Sequence, residues 1–218
     1  MTTRPVELAI VAQLAARLLD RAASTRVMIG ICGAPGAGKS TLAAQVADQL
    51  NAGAPGTAVV VPMDGFHLAA SVIAEDERVN RRGAPDTFDP DGFAALLRRV
   101  RENADEVVYA PEYRREIEDP VAGAIGVPRT CPIVIAEGNY LLHPDLAWQR
   151  VRQCLDEVWF LEAPDEGLRV DRLIERHQQF GKSPDDAAAH VAATDERNAE
   201  LVAGHRDSAD VVLRRESW

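Results

Sequence analysis

The stretch Gly33-Ala34-Pro35-Gly36-Ala37-Gly38-Lys39-Ser40-Thr41, "GAPGAGKST", has the composition of an anion cradle. Its glycines let successive backbone N–H groups converge on one point without Cβ interference. A helix beginning at its end adds the partial positive charge of its N-terminus. Lys39 supplies a point charge suited to the β- and γ-phosphates of a nucleotide, and the Ser40 hydroxyl is placed for Mg²⁺. The pattern G-x-x-x-x-G-K-[ST] fits in full. It sits between an apolar run, "RVMIGIC", and a helical stretch, "LAAQVADQL", which is the context this loop requires. The ligand implied is a nucleoside triphosphate. The loop does not say whether the phosphate is transferred, hydrolysed or only held.

Other residues bear on that choice. Asp64, in "VVVPMDGFHLAA", falls just past a second apolar run, where a carboxylate could take a proton from an attacking hydroxyl. The same position suits an N-cap for a helix starting near Phe66. His67 is a rival base or a packing residue. Glu137 ends the run "PIVIAEG", either as an acid organising Mg²⁺, directly or through water, or as an ordinary strand-end acid. Arg169, Arg172 and Arg176 are spaced three and four apart and so share one helix face. That row could neutralise a transferring phosphoryl group or be a solvated face paired with Glu166, Asp171 or Glu175.

Strands and helices must position these groups. The short runs 26–32, 57–62, 132–138, 156–163 and 209–213 are rich in β-branched residues and read as buried parallel strands. Between them the periodicity predicts helices over about 39–51, 68–77, 90–104, 145–154, 164–180 and 184–204. The alternation implies a doubly wound α/β sheet whose ligands lie outside the carboxyl ends of its strands. Residues 78–90 and 105–130 break the rhythm and hold much of the Pro and Gly. Long connections of this kind serve function or are disordered, and "EVVYA" with Tyr109 and Tyr113 favours function.

The chain of 218 residues suits one domain spanning 1–218. Its formal charge of −10 argues against non-specific binding to nucleic acid or an anionic membrane. Residues 1–24 carry Leu8, Val11, Ala12, Ala15, Leu18 and Leu19 at helical spacing, with Glu7, Arg17 and Asp20 interrupting them. This reads as an amphipathic helix packed on the domain and not as a signal sequence. No apolar run approaches the roughly 20 residues that span a bilayer. Cys32, Cys131 and Cys154 show no ligand or disulfide spacing and read as buried thiols, which fits a reducing cytoplasm.

Together these motifs resemble the P-loop small-molecule kinases that include uridine kinase, phosphoribulokinase and the bacterial type of pantothenate kinase. Within that group the chain is most similar to the nucleoside/nucleotide kinase-like proteins labelled fructose transport system kinases. The resemblance runs from about 26 to 214, through "GAPGAGKST", "PMDGFHL", "RRGAPDTFDPDGF", "YAPEYRREIEDPVAGAI", "AEGNYLL", "DEVWFLEAP", "RLIERH" and "FGKSPDDA" in the expected order. It implies a three-layer α/β P-loop fold with a five-stranded parallel core, helices on both faces, and a lid with its following helix at about 164–204. It implies ATP and Mg²⁺ as cofactors and a small hydroxylated acceptor. Asp64 matches the group's general base and Glu137 its acid after the strand beside the loop. Arg172 and Arg176 match the lid arginines. Phe66, His67, Arg82, Tyr109, Tyr113 and Arg115 match segments around the acceptor pocket, and Asn139 and Tyr140 would face the same space. Arg206, with His205, would lie near the adenine. The group's members are often dimers, so a homodimer is implied without an interface being located. One departure is Arg114, where relatives commonly carry an acid. Facing inward it would favour an anionic acceptor; facing outward it is a surface charge, the expectation that solvation costs support.

The expected activity is therefore transfer of the γ-phosphate of ATP to a hydroxyl of a small metabolite. The alternative is a P-loop ATPase coupling hydrolysis to a conformational or partner-binding cycle. A sugar, nucleoside, pantothenate-like acid or phosphorylated sugar would each suit as acceptor.

Overall fold

The computed structural model describes residues 5–23, 25–74 and 77–214 and, of residues 5–9 and 77, the backbone alone. In chain order its strands are β1 (Val27–Cys32), β2 (Ala58–Pro62), β3 (Val107–Arg114), β4 (Asp119–Pro128), β5 (Ile133–Glu137), β6 (Glu157–Glu162) and β7 (Val211–Arg214). The apolar runs become one parallel five-stranded sheet, ordered β2-β5-β1-β6-β7, with the strand before the phosphate loop at its centre. β3 and β4 pair antiparallel as a separate hairpin.

The helices are α1 (Pro5–Arg21), α2 (Lys39–Gly53), α3 (Ala70–Ile73), α4 (Pro90–Glu102), α5 (Leu146–Arg152), α6 (Glu166–Gln179), α7 (Pro184–His190) and α8 (Glu196–Ala203). Alternation along β1 explains the layers. Val27, Ile29 and Ile31 pack with Leu42, Val46 and Leu50 of α2 and with Val11 and Leu18 of α1. Met28 and Cys32 belong to the core that holds Phe93, Leu97 and Val100 of α4 and Trp148 and Val151 of α5. A strand covered on both faces needs apolar side chains throughout, hence its unbroken run. Local signals start three of the helices. Asp89 accepts from the N–H of Gly92, Asp165 from that of Leu168, and Ser183 from that of Asp186.

Four expectations change. In α1 the buried stripe is Val11, Leu14, Ala15 and Leu18, while Ala12 and Leu19 are exposed. Positions i, i+3, i+4 and i+7 point one way, and Ala12 and Leu19 lie about 100° off that direction. Residues 1–4 and 24 of that expected helix, and the Leu8 and Glu7 side chains, lie outside the described residues. The helix expected over 68–77 is α helix only at Ala70–Ile73, with a 3-10 turn at Glu77–Arg81; residues 75–76 lie outside the described residues. The helix expected over 184–204 is broken by a π turn at Val191–Asp195. The 105–130 connection is the β3–β4 hairpin, with Val108 and Ala110 buried and Tyr109 exposed. Arg26 holds the base of this hairpin to the sheet by donating to the carbonyls of Val100, Pro128, Arg129 and Cys131.

The three cysteines are buried free thiols. Among the described residues no helix is long and apolar enough to cross a membrane.

Candidate active site

The carboxyl ends of β1, β2 and β5 lie side by side, because β5 pairs with both of the others. β1 runs directly into the Gly33–Ser40 loop, and α2 leaves it. Gly38 (φ 90) and Gly36 (φ 78) adopt left-handed backbone that a side chain would strain. A Cβ on Gly36 would also meet Leu173 Cγ at 2.9 Å and the Arg169 carbonyl oxygen at 3.0 Å, so α6 packs directly on the loop. Lys39 is buried, and its ammonium donates to the Ala34 carbonyl at 3.0 Å. Ser40 and Thr41 stand exposed at the start of α2.

The Ser40 hydroxyl donates to Glu137 Oε1 at 3.2 Å. Glu137 is 5% exposed, and burial pushes its carboxyl up to about 7. The Asp64 charge pushes the same way, while Lys39 and the Ser40 hydrogen bond oppose the rise. Lys39 is itself lowered by burial, with the Glu137 and Asp64 charges opposing that shift. Two carboxylates thus face one buried ammonium.

Asp64 stands in the 3-10 turn Met63–Phe66 that continues β2. The turn sits close under the hairpin: a Cβ on Gly65 would lie 2.3 Å from the Pro111 carbonyl oxygen. Pro62 and Ala69 occupy the capping positions of this turn and of α3, each without a side-chain capping bond, so the N-cap reading of Asp64 falls away. Its carboxylate lies 3.8 Å from Arg115 Nη2. The His67 ring nitrogen Nδ1 is 2.8 Å from the Asp64 carbonyl oxygen, and its ring lies between Phe88 and Tyr113 at centroid distances of 4.0 and 4.6 Å. Burial lowers the His67 pKa, which keeps the imidazole neutral. A neutral ring donating to backbone is a positioning group, so of the two sequence readings of His67 the packing one agrees with the geometry.

Around Asp64 the hairpin and the 82–89 loop bring in further groups. Arg82 donates to Asp119 at 2.8 Å and to the Leu68 carbonyl at 3.3 Å, and its guanidinium lies 5.7 Å from the Tyr113 ring centre. Arg115 lies 6.0 Å from the same ring and 5.9 Å from that of Phe180, next to the end of α6. Arg176, on α6, is half-buried. Burial and the nearby Arg115 lower its pKa, with Asp195 and Asp64 opposing. Its Nε is buried without a hydrogen-bond partner among the described residues, as is that of Arg82. Arg172 is half-buried one turn earlier.

The remaining expectations divide. Phe66 packs on Phe93 of α4, ring centres 4.7 Å apart, and belongs to the framework instead of the open space. Tyr109 is 62% exposed and four residues from Tyr113, roughly 13 Å along a strand. Tyr140 is buried, not facing the space: its hydroxyl donates to the Gly83 carbonyl at 2.5 Å, and Asn198 donates to the same oxygen at 3.2 Å. These bonds hold the 82–89 loop in place. The backbone carbonyl of Asn139 accepts from the Cys32 thiol. Arg206 is ion-paired with Glu162 and Asp207 at the β6–β7 edge. Arg114 is 55% exposed and paired with Glu112 at 3.0 Å, so it faces outward.

In sequence Arg169 reads only as part of the arginine row. It is 1% exposed and donates to the Pro35 carbonyl at 3.1 Å, to Glu166 at 2.6 Å and to Glu196, tying α6 and α8 to the phosphate loop. The i, i+3 spacing from Glu166 was its available signal. Asp119 and Asn198, which hold Arg82 and the Gly83 loop, carried none.

The chain matches the family described as "Phosphoribulokinase / Uridine kinase family" over residues 28–217. It is 33% identical over 197 residues to a Schizosaccharomyces pombe protein described as "Putative uridine kinase C227.14", covering 87% of this chain and 83% of that one. A crystal structure from Silicibacter sp. TM1040, described as a "putative fructose transport system kinase", is similar with a TM-score of 0.82 at 35% identity, covering 93% of this chain and 98% of that one. The Saccharomyces cerevisiae protein YFH7 shares the fold, with a TM-score of 0.80 at 19% identity over 95% of this chain and 99% of that one. The sequence match takes in the loop, Asp64, Glu137 and the α6 arginines alike, and the chain belongs to the phosphoribulokinase/uridine kinase family of P-loop kinases.

Proposed function

We propose that the protein transfers the γ-phosphate of ATP to a hydroxyl of a small metabolite. The observation that carries this reading is the convergence of Lys39, the Ser40–Glu137 pair and Asp64 at adjoining strand ends. The loop amides and Lys39 hold the β- and γ-phosphates. The Ser40–Glu137 pair suits Mg²⁺: it offers oxygen donors, and a buried carboxylate forced up in pKa is relieved by a divalent cation. Bound there, Mg²⁺ would supply charge neutralisation on the phosphates.

Asp64 is half-exposed and accepts the proton of the acceptor hydroxyl as that oxygen attacks the γ-phosphorus. The bond to the β–γ bridging oxygen breaks, and ADP leaves with the electron pair. Arg176, whose buried Nε has no hydrogen-bond partner among the described residues, and Arg172 offset charge on the phosphoryl group, making the α6–α8 segment the lid. His67, Tyr113, Arg82 and Arg115 wall the acceptor space. Arg206 lies too engaged with Glu162 to lend charge to the nucleotide, leaving its planar face for the adenine. Because Arg114 points outward, it gives no reason to prefer an anionic acceptor.

The test is ATP consumption with Mg²⁺ across sugars, polyols, nucleosides and pantothenate, against an acceptor-free blank. A rise confined to one acceptor class is the expected result. Steady acceptor-independent hydrolysis across the panel contradicts the reading and points to the ATPase cycle.

A further inference from the structure

Behind the arginines of α6 lies a group of side chains that phosphoryl transfer does not use. His177 on α6, His190 at the end of α7 and Asp195 in the π turn place one ring nitrogen each and a carboxylate oxygen within 4.8 Å of one another. His177 Nε2 is 2.9 Å from Asp195 Oδ2, and the two imidazole rings meet edge-on with centres 4.5 Å apart. Asp195 is 8% exposed, so its carboxylate is kept where water serves it poorly.

The backbone is bent to make this meeting. In a regular α helix, residues five apart stand about 140° apart around the axis, so His190 and Asp195 would face different ways. The π turn Val191–Asp195 closes with Glu196 N–H bonded to the Val191 carbonyl, an i→i+5 bond. That extra residue per turn brings Asp195 back under His190. Insertions of this kind are rare and frequently lie at functional sites.

Two imidazoles and one carboxylate suit a first-row divalent ion of the Zn²⁺ kind, whereas Mg²⁺ prefers oxygen donors. Around a tetrahedral ion with bonds near 2.1 Å, donor atoms stand about 3.4 Å apart. The His177–Asp195 pair is already inside that spacing, and the His190 donor lies within 4.8 Å of both. We propose that His177, His190 and Asp195 form a Zn²⁺-class metal site, separate from the Mg²⁺ position, that clamps α6 to α7 and the π turn. The fourth position is left to water. Since Arg176 precedes His177, the clamp fixes the segment that presents the α6 arginines.

The experiment titrates ZnCl₂ into chelator-stripped, full-length protein by calorimetry, in excess MgCl₂, and repeats it with His190→Gln and His143→Gln. A Co²⁺ absorption spectrum reports the donor set. The expected result is one ion per chain at micromolar affinity or tighter. His190→Gln should weaken it by about tenfold or more, and His143→Gln, which alters the separate His143–His205 pair, should leave it within twofold. The Co²⁺ spectrum should lack thiolate charge-transfer absorption. Circular dichroism confirms that each variant is folded. No stoichiometric binding by the folded wild type, equal loss in both variants, or a thiolate signature would each overturn the site; the first would leave His177–Asp195 as a hydrogen-bonded clamp.

Discussion

Arg169→Met separates a residue that braces the phosphate loop from one that touches phosphate. Methionine keeps the aliphatic shaft that lies under Gly36 and removes the donors. The bond to the Pro35 carbonyl is buried and charge-assisted, a kind worth about 1.5–3 kcal/mol. The ion pairs to Glu166 and Glu196 add less, since the Glu166 carboxylate is exposed and that of Glu196 partly so and both can turn to water, which limits such pairs to about 0–1 kcal/mol each. The sum for unfolding is therefore about 1.5–5 kcal/mol, read from urea denaturation followed by circular dichroism. A loop that has lost its brace must be ordered by the nucleotide, so the ATP dissociation constant should rise about tenfold, equivalent to roughly 1.4 kcal/mol. Arg176→Met should show the opposite pattern, with stability nearly unchanged and turnover reduced. An Arg169→Met protein as stable as wild type within about 0.5 kcal/mol, yet about a hundredfold slower, would refute the brace and place the guanidinium on the phosphates.

Glu137 carries a pH prediction. Its carboxyl is raised to about 7 in the fold from an ordinary value of 4.5, so between those values the folded state binds more protons than the unfolded one. Stability without Mg²⁺ should then fall as pH rises from about 4.5 to 7, and Glu137→Gln should be the more stable protein at pH 8 by about 1–3 kcal/mol. Denaturation midpoints of the two proteins at pH 5 and pH 8 check this, and a gap that widens toward acid would contradict it. His67→Phe keeps the ring stack but not the bond to the Asp64 carbonyl; turnover should drop about tenfold while the pH–rate profile keeps its acidic limb. Arg114→Ala should change stability by less than about 0.5 kcal/mol and leave the acceptor KM unaltered, because the pair with Glu112 is exposed.

What could be read from the chain was whatever depends on short-range pattern. The β1, β2, β5, β6 and β7 runs are predominantly apolar, fully so in β1, which is buried throughout at the centre of the sheet, and their limits fall within a residue or two of expectation. The loop Gly33–Thr41 was legible because its spacing is dictated by backbone geometry around an anion. Long-range pairing was not legible. Tyr109 and Tyr113 read alike in sequence, but only Tyr113 reaches His67, where the 3-10 turn meets the hairpin. In sequence Tyr140 reads as a pocket wall because a polar tip near Glu137 invites that reading; its hydroxyl donates instead to the carbonyl of Gly83, which lies 57 positions away. The π turn has no signature in "HVAATDE", so the pairing of His177 with Asp195 could not be foreseen.

Asp64 carries the central claim, and Asp64→Asn tests it most directly. Asparagine preserves shape and the weak contact with Arg115 while losing the ability to accept the acceptor's proton. Measured with the acceptor class that stimulates the wild type, the variant should fold, bind MgATP within about threefold of wild type, and lose about 10²–10⁴ in kcat. Phosphate transfer at a near wild-type rate would remove Asp64 from proton transfer and with it the proposed chemistry of this site.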